Sequence, residues 1–320
     1  MSAHLLGPLA PFFIDPSITD VLVNAGREVW IERNGHMERT SLTLSPGQIE
    51  HVIERVLAPL GVRVDVVSPI ADARLADGSR LHVVVPPVAP DGMCVSVRRF
   101  TAAPLRLDAF ATPEVVRLLH DLVSKRANII VSGATSAGKT TLLNALAGRC
   151  APYERIVTIE DAAELRLPGE HIVRLEARRP SADGLGAVTT RDLVRAALRM
   201  RPDRLVIGEV RGSEALDMLQ ALNTGHDGSL ATCHANSAID ALHRIDTMAL
   251  LAASGLPLEA VQHQVQRSID VVVHVARGQQ GHRRITEVAL TTPHADRLIK
   301  VANASGLLPG ASATWQGRSS

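Results

Sequence analysis

Aromatic residues are nearly missing from this 320-residue chain: Phe, Trp and Tyr together make up 2% of it. Stacking platforms that grip single-stranded nucleic acid along a groove are therefore not spread over its surface. The three cysteines, Cys94, Cys150 and Cys233, are odd in number and far apart, which excludes a disulfide framework and suggests reduced thiols in a cytosolic setting. No apolar run reaches the length of about 18 residues that a spanning helix needs. The start, Met1-Ser-Ala-His-Leu-Leu-Gly-Pro8, lacks the basic lead and long apolar centre of a secretory signal. Any membrane association is expected to come through a partner. Charge of one sign is lacking too: 34 Lys+Arg against 33 Asp+Glu leave +1, giving no global argument for nucleic acid or an anionic membrane. Lysine itself is scarce, with Lys125, Lys139 and Lys300 the three among those 34 cations.

One of those rare lysines sits where a compact ammonium is wanted. Asn128-Ile-Ile-Val131 reads as a short buried strand. It runs into Gly133-Ala-Thr-Ser-Ala-Gly-Lys-Thr-Thr141, and Leu142, Leu143, Ala145 and Leu146 follow at helical spacing. Strand, glycine loop and helix in that order make a phosphate-binding loop. Its glycines let successive N–H groups point inward, and the helix N-terminus adds partial positive charge. Residues Gly133, Ala134, Thr135, Ser136, Ala137, Gly138, Lys139, Thr140 and Thr141 are thus expected to cradle ATP. Lys139 would reach the β- and γ-phosphates and the Thr140 hydroxyl would ligate Mg²⁺.

With 46% hydrophobic and 21% charged residues the chain is an ordinary globular protein, long enough for two cores. Residues 1–100 read as a small α+β unit. Short strands at Asp20–Asn24, Glu28–Ile31 and Met37–Thr40 precede a helix opened by Ser45-Pro-Gly47. Ile49, Val52, Ile53, Val56, Leu57 and Leu60 share one face of that helix, and strands at Ile70–Leu75, Arg80–Val85 and Met93–Arg99 follow. Residues 101–112 lose periodicity and read as a linker. From 113 to 302 strands and helices alternate, which predicts a mostly parallel sheet covered by helices. Residues 303–320, rich in Gly, Ala and Ser, are expected to be disordered.

Further chemistry lies at predicted strand ends, where ligands of open α/β sheets bind. Arg204-Leu-Val-Ile-Gly-Glu-Val-Arg211 places Glu209 there, to position or deprotonate a water or to reach Mg²⁺. Glu160-Asp-Ala-Ala-Glu164 ends another strand; Glu160 and Glu164 either share that work or merely complement a helix dipole. His226 and His234 flank a third strand. With Cys233 they invite a zinc reading, but the paired ligand spacing of a zinc site is missing. A polar contact to the γ-phosphate or a helix cap fits His234 better. Arg195 and Arg199, four apart, are expected on one helix face. Arg98 and Arg99 close the first unit's last strand, where they could reach a triphosphate from the other domain or a neighbouring copy.

Four blocks in order, 133–141, Thr158-Ile-Glu-Asp-Ala-Ala-Glu-Leu165, Leu198–Gly212 and Gly225–Asn236, resemble the Walker A, Asp box, Walker B and His box of the type II/type IV secretion ATPases. Ala71–Arg80 and Val95–Phe100 resemble the N-terminal domain of the Flp/Tad pilus assembly branch. The resemblance implies a RecA-like P-loop ATPase domain with a mostly parallel sheet, preceded by a smaller α+β, PAS-like domain. It further implies a homohexamer at the cytoplasmic face of the inner membrane that drives a platform protein of a pilus or secretion system, with ATP and Mg²⁺ as cofactors and no direct nucleic-acid contact. Glu209 takes the Walker B role, Glu160 and Glu164 the Asp box, and His226 and His234 the His box. Arg195 and Arg199 match arginines before Walker B, and Arg98 and Arg99 a phosphate-facing pair. The branch's long helical N-terminal extension and its relatives' four-cysteine zinc insert are both lacking. A conjugative DNA-transfer or pilus-retraction ATPase, and a scaffold that nucleotide merely locks, stay open as alternatives.

Overall fold

A computed structural model describes residues 3–309 except 76, 100–105, 179, 181–184, 253–254, 279–281 and 293–297. The chain divides into two compact units, Met1–Ala103 and Pro104–Ser320. The first residues of the expected linker lie outside the described residues. No helix among the described residues is long and apolar enough to cross a membrane.

The first unit is an antiparallel sheet with helices on one face. Its strands are β1 (Ile18–Asn24), β2 (Glu28–Arg33), β3 (His36–Thr43), β4 (Ile70–Arg74), β5 (Arg80–Val84) and β6 (Cys94–Arg98), in the order β3-β2-β1-β6-β5-β4. Alternate residues such as Val21 and Val23, Val29 and Ile31, Leu81 and Val83, Val95 and Val97 are buried, as a one-sided sheet requires. They pack under α2 (Pro46–Leu57), which a Ser45–Gln48 capping box opens. Five of the six expected apolar positions on that helix are buried. Leu60 is 41% exposed, because the helix gives way at Leu57 to a 3₁₀ turn carrying Pro59. A short helix α1 (Ala10–Ile14) precedes β1, in a stretch too short to carry a periodic signal.

The second unit is a three-layer α/β domain. Its helices are α3 (Pro113–Ser124), α4 (Lys139–Ala147), α5 (Thr190–Ala197), α6 (Glu214–Leu222), α7 (Ala238–Ala252) and α8 (Leu258–Ser268). Its strands are β7 (Ile129–Gly133), β8 (Ile156–Glu160), β9 (Ile172–Glu176), β10 (Arg204–Val210), β11 (Leu230–His234), β12 (Val271–Arg277), β13 (Arg283–Thr291), β14 (Leu298–Asn303) and β15 (Gly306–Leu307). The sheet order is β15-β14-β13-β12-β7-β11-β10-β8-β9. Strands β12 through β9 in that order are parallel, and β13, β14 and β15 extend the sheet antiparallel. Helices α5–α8 bury one face and α3 and α4 the other. The disorder expected over 303–320 is corrected for residues 303–309, where β15 pairs with β14, burying Gly306, and the Leu308 amide donates to the Val301 carbonyl; residues 310–320 lie outside the described residues.

The amino edge of this sheet is fastened by a buried ion pair. Arg204 Nε lies 2.9 Å from Glu154 Oε2, with the side chains 3% and 6% exposed. Arg204 also donates to the Gly228 carbonyl, and Arg126 reaches the carbonyls of Asp203 and Asp227. Removing one partner strands the other charge in the interior. Glu154→Ala is expected to lower unfolding free energy by about 3–5 kcal/mol, measured by denaturant titration. A loss under about 1 kcal/mol would mean that water reaches this pair.

Candidate functional site: a glycine loop at the carboxyl edge of the sheet

Strand β7 is buried along its whole length and ends on Gly133, where a side chain does not fit: a Cβ there would lie 2.4 Å from the Val275 carbonyl oxygen of β12. The loop then turns through Ser136 (φ 60°) and Gly138 (φ 100°), the latter a left-handed conformation that glycine adopts without strain. Gly138 is the N-cap of α4. A glycine loop that runs into a helix N-terminus suits an anion, since free N–H groups and the helix dipole favour negative charge there. Lys139 arcs back over the loop, its Nζ donating to the Ala134 carbonyl at 3.0 Å. Burial pulls the Lys139 pKa below its ordinary value, opposed chiefly by the charge of Glu209.

Parallel pairing delivers the remaining groups to the same edge. His234 ends β11 in register with Gly133. Its Nε2 lies 3.2 Å from Thr135 Oγ1. Burial and then the Lys139 charge lower its pKa, so the ring is neutral at pH 7. Glu209 lies near the end of β10, where the β10–β11 register slips between Ile207 and Val210. Such an irregularity re-aims a side chain next to a site. Glu160 closes β8. Its Oε1 accepts the amides of Glu164 and Leu165 at 2.8 and 2.9 Å, folding the acidic loop back onto the strand. Its Oε2 is buried with no partner among the described residues. Burial pushes the Glu160 carboxyl up to about 7, against the pull of those two amides. Gly208 makes room for it, since a Cβ at 208 would come within 2.9 Å of Glu160 Cγ.

Three cations here were not singled out from the sequence. Arg211 Nη2 donates to Glu209 Oε2 at 2.5 Å and its Nη1 reaches Asp161 Oδ2 at 3.4 Å, joining the end of β10 to the acidic loop. Arg244 of α7 acts electrostatically on His234, Lys139 and Cys233. Arg283 lies against the glycine loop itself, with Nη1 3.3 Å from Thr141 Oγ1. Arg211 comes two residues after Glu209 at the end of the strand, a spacing that puts both side chains on one face and marks it in the sequence. Only the sheet order reveals the other two.

Several expected site residues lie elsewhere. His226 precedes β11 at the amino edge, its Nδ1 3.2 Å from the Ala221 carbonyl, so β11 separates it from His234. The two rings cannot share a metal, and no group of three or more His, Cys, Asp or Glu among the described residues has metal-holding geometry. Arg195 is paired with Asp217 at 2.7 Å, beside Arg191 on the other oxygen at 2.6 Å. Arg199 follows in a 3₁₀ turn, since α5 stops at Ala197 and tightens toward the amino edge. In the first unit Arg99 is turned inward onto the backbone carbonyls of Phe12, Asp15 and Ile18, with its guanidinium over the Phe13 ring. That corrects the expectation that it faces phosphate. Arg98 pairs with Asp20 at 3.3 Å and stands in register with Arg80, which stands in register with Arg74.

The type II/IV secretion system protein family model matches residues 3–283, so the comparison spans both units. The chain belongs to that family. A Mycobacterium tuberculosis protein named for conjugal transfer is 41% identical over 314 residues, covering 91% of this chain and 89% of the relative. The type IV secretion system protein PtlH homolog of Bordetella bronchiseptica is 35% identical, covering 88% and 93%. The VirB11 ATPase from the Brucella suis type IV secretion system, solved with sulphate, is 29% identical with a TM-score of 0.51, covering 90% of this chain and 93% of that one. The pilus retraction motor PilT with bound ADP shares the fold, at a TM-score of 0.65 and 22% identity, covering 89% and 82%. The second unit is therefore a RecA-like domain of the secretion ATPase superfamily, preceded by a smaller α+β domain.

Proposed function

We propose that this chain binds ATP in the Gly133–Thr141 loop and hydrolyses it as the motor of a secretion or transfer machine. The observation that carries the reading is the convergence of Lys139, His234, Glu209 and the buried Glu160 at one edge of the parallel sheet. Lys139 and the loop amides neutralise the β- and γ-phosphates. Glu160, buried and with one oxygen unpartnered among the described residues, accepts the proton of the attacking water. Glu209 orients that water, once Arg211 yields its hold. His234, neutral and beside Thr135, reads whether the γ-phosphate is present. The donor set fits Mg²⁺, which takes one or two protein oxygens and completes its shell with phosphate and water. The Thr140 hydroxyl and the Glu209 carboxylate would hold it. When bound it neutralises charge building on the β- and γ-oxygens.

The working form is a homohexamer in which arginines of one copy serve the nucleotide of the next. Arg195 and Arg199, on α5 and the turn after it, and His226, before β11, are candidates for that role. So is Arg98 with its cross-strand neighbours, in place of Arg99. Turnover drives an inner-membrane platform protein. Pilus assembly of the Flp/Tad kind rests on the Ala71–Arg80 and Val95–Phe100 motifs; a conjugal-transfer role draws on the names of the mycobacterial relative and of TrbB from Rhizobium radiobacter.

Phosphate release from the purified chain, with Glu209→Gln as control, tests the motor reading. Wild type is expected to turn over in ATP and Mg²⁺, and the variant to fall by about 10²–10⁴-fold while still binding nucleotide. Equal, negligible rates in both would make the chain a nucleotide-locked scaffold.

A further inference from the structure

The loop has two flanks. On one lie β11 and β10 with His234 and Glu209, the groups suited to the γ-phosphate; on the other lie β12 and β13. Arg283 opens β13 and crosses the loop from that second flank. Its stem lies over the loop's last glycine: a Cβ on Gly138 would be 2.6 Å from Arg283 Cδ. Its Nη1 reaches Thr141 Oγ1, in the first turn of α4, at 3.3 Å. In such loops the backbone amides cradle the α- and β-phosphates, while the lysine reaches the β- and γ-phosphates. A triphosphate laid with its γ end toward His234 and Glu209 therefore carries its α end toward Thr141 and the Arg283 guanidinium. That planar fork suits two phosphate oxygens in a way lysine does not.

We propose that Arg283 grips the α-phosphate end of the bound nucleotide and so holds ATP and ADP alike. The inference rests on the nucleotide-binding reading above. It adds that retention of the diphosphate after hydrolysis is set from β13, apart from the groups that face the γ-phosphate.

Isothermal titration of the full chain with ADP and with AMP-PNP, both with Mg²⁺, separates the possibilities. Arg283→Met keeps the apolar stem over Gly138 and removes the fork; Arg283→Lys keeps a charge. Arg283→Met is expected to weaken both ligands by a similar factor of roughly ten, and Arg283→Lys to recover part of the loss. Unchanged affinities in Arg283→Met would reduce Arg283 to a brace for the loop. A loss confined to AMP-PNP would move it to the γ end. Either result overturns the proposal. Should Arg283→Met fail to fold, Arg283→Lys decides: it must weaken both ligands alike, and wild-type affinity in it overturns the proposal. Wild-type protein that binds neither ligand would instead defeat the nucleotide-binding reading itself.

Discussion

Lys139→Ala is expected to lose ATP turnover by about 10³-fold or more and nucleotide affinity by about 100-fold, with the fold intact. The first part follows from position. Lys139 is a buried cation arched over the loop, where its ammonium donates to the Ala134 carbonyl. No second lysine is near to replace it, since the others are Lys125 and Lys300. The second part follows from its desolvation. Burial lowers its pKa, which means that the charged form is held at a cost until an anion meets it. Without nucleotide, removing the charge relieves that cost, and Ala134 is exposed, so water can satisfy its carbonyl. Thermal melting should show the variant at least as stable as wild type without ligand, and it should gain less from ATP than wild type does. A variant that melts early, or one that keeps turning over ATP, contradicts the assignment of Lys139.

The second large effect concerns pH and Glu160. Its carboxyl rises from an ordinary 4.5 to about 7, mainly through burial. A raised carboxyl pKa favours the protonated fold. That stability is complete below about pH 4.5 and is lost as pH climbs through 7. Across this window of about 2.5 units the loss is roughly 3 kcal/mol, and Glu160→Gln should abolish it. Activity runs the other way. A proton acceptor must be ionised, so kcat/KM for ATP should climb with pH and level off above about 7. Glu160→Gln should lose that limb together with about 10²–10⁴-fold in rate. Denaturant titrations and initial rates between pH 5 and 8 read both trends. An acid limb that survives unchanged in Glu160→Gln assigns the base to another group.

The parts of this architecture that sequence reasoning could reach are those encoded locally. Ile129–Val131 before a glycine loop, and Ser45-Pro46 before an amphipathic run, specify their own conformation within a few residues. Glu209 and His234 were legible because parallel strands deliver their ends to one edge, so a motif at a strand end implies a place. Position along the strand decided His226 differently. Although it belongs to the same motif as His234, it comes before β11 and falls at the opposite edge. Arg283 and Thr141 are 142 residues apart and meet only because β12 and β13 are laid beside β7 in that order. Arg99 misled for the same reason. Its partners Phe12, Asp15 and Ile18 belong to a segment whose packing carries no periodic signature. The tail misled by composition: Gly, Ala and Ser at 304–306 form a turn that closes β14 on β15 rather than a free end.

The central claim is that a nucleotide triphosphate lies in the Gly133–Thr141 loop with its γ end toward Glu209 and His234. An experimental structure of the purified chain with AMP-PNP and Mg²⁺ tests it most directly. The account requires density for the triphosphate along the loop amides, with Lys139 turned from the Ala134 carbonyl onto phosphate oxygens. A loop that stays closed on Lys139 at saturating analogue, or a triphosphate lying the other way round, contradicts it.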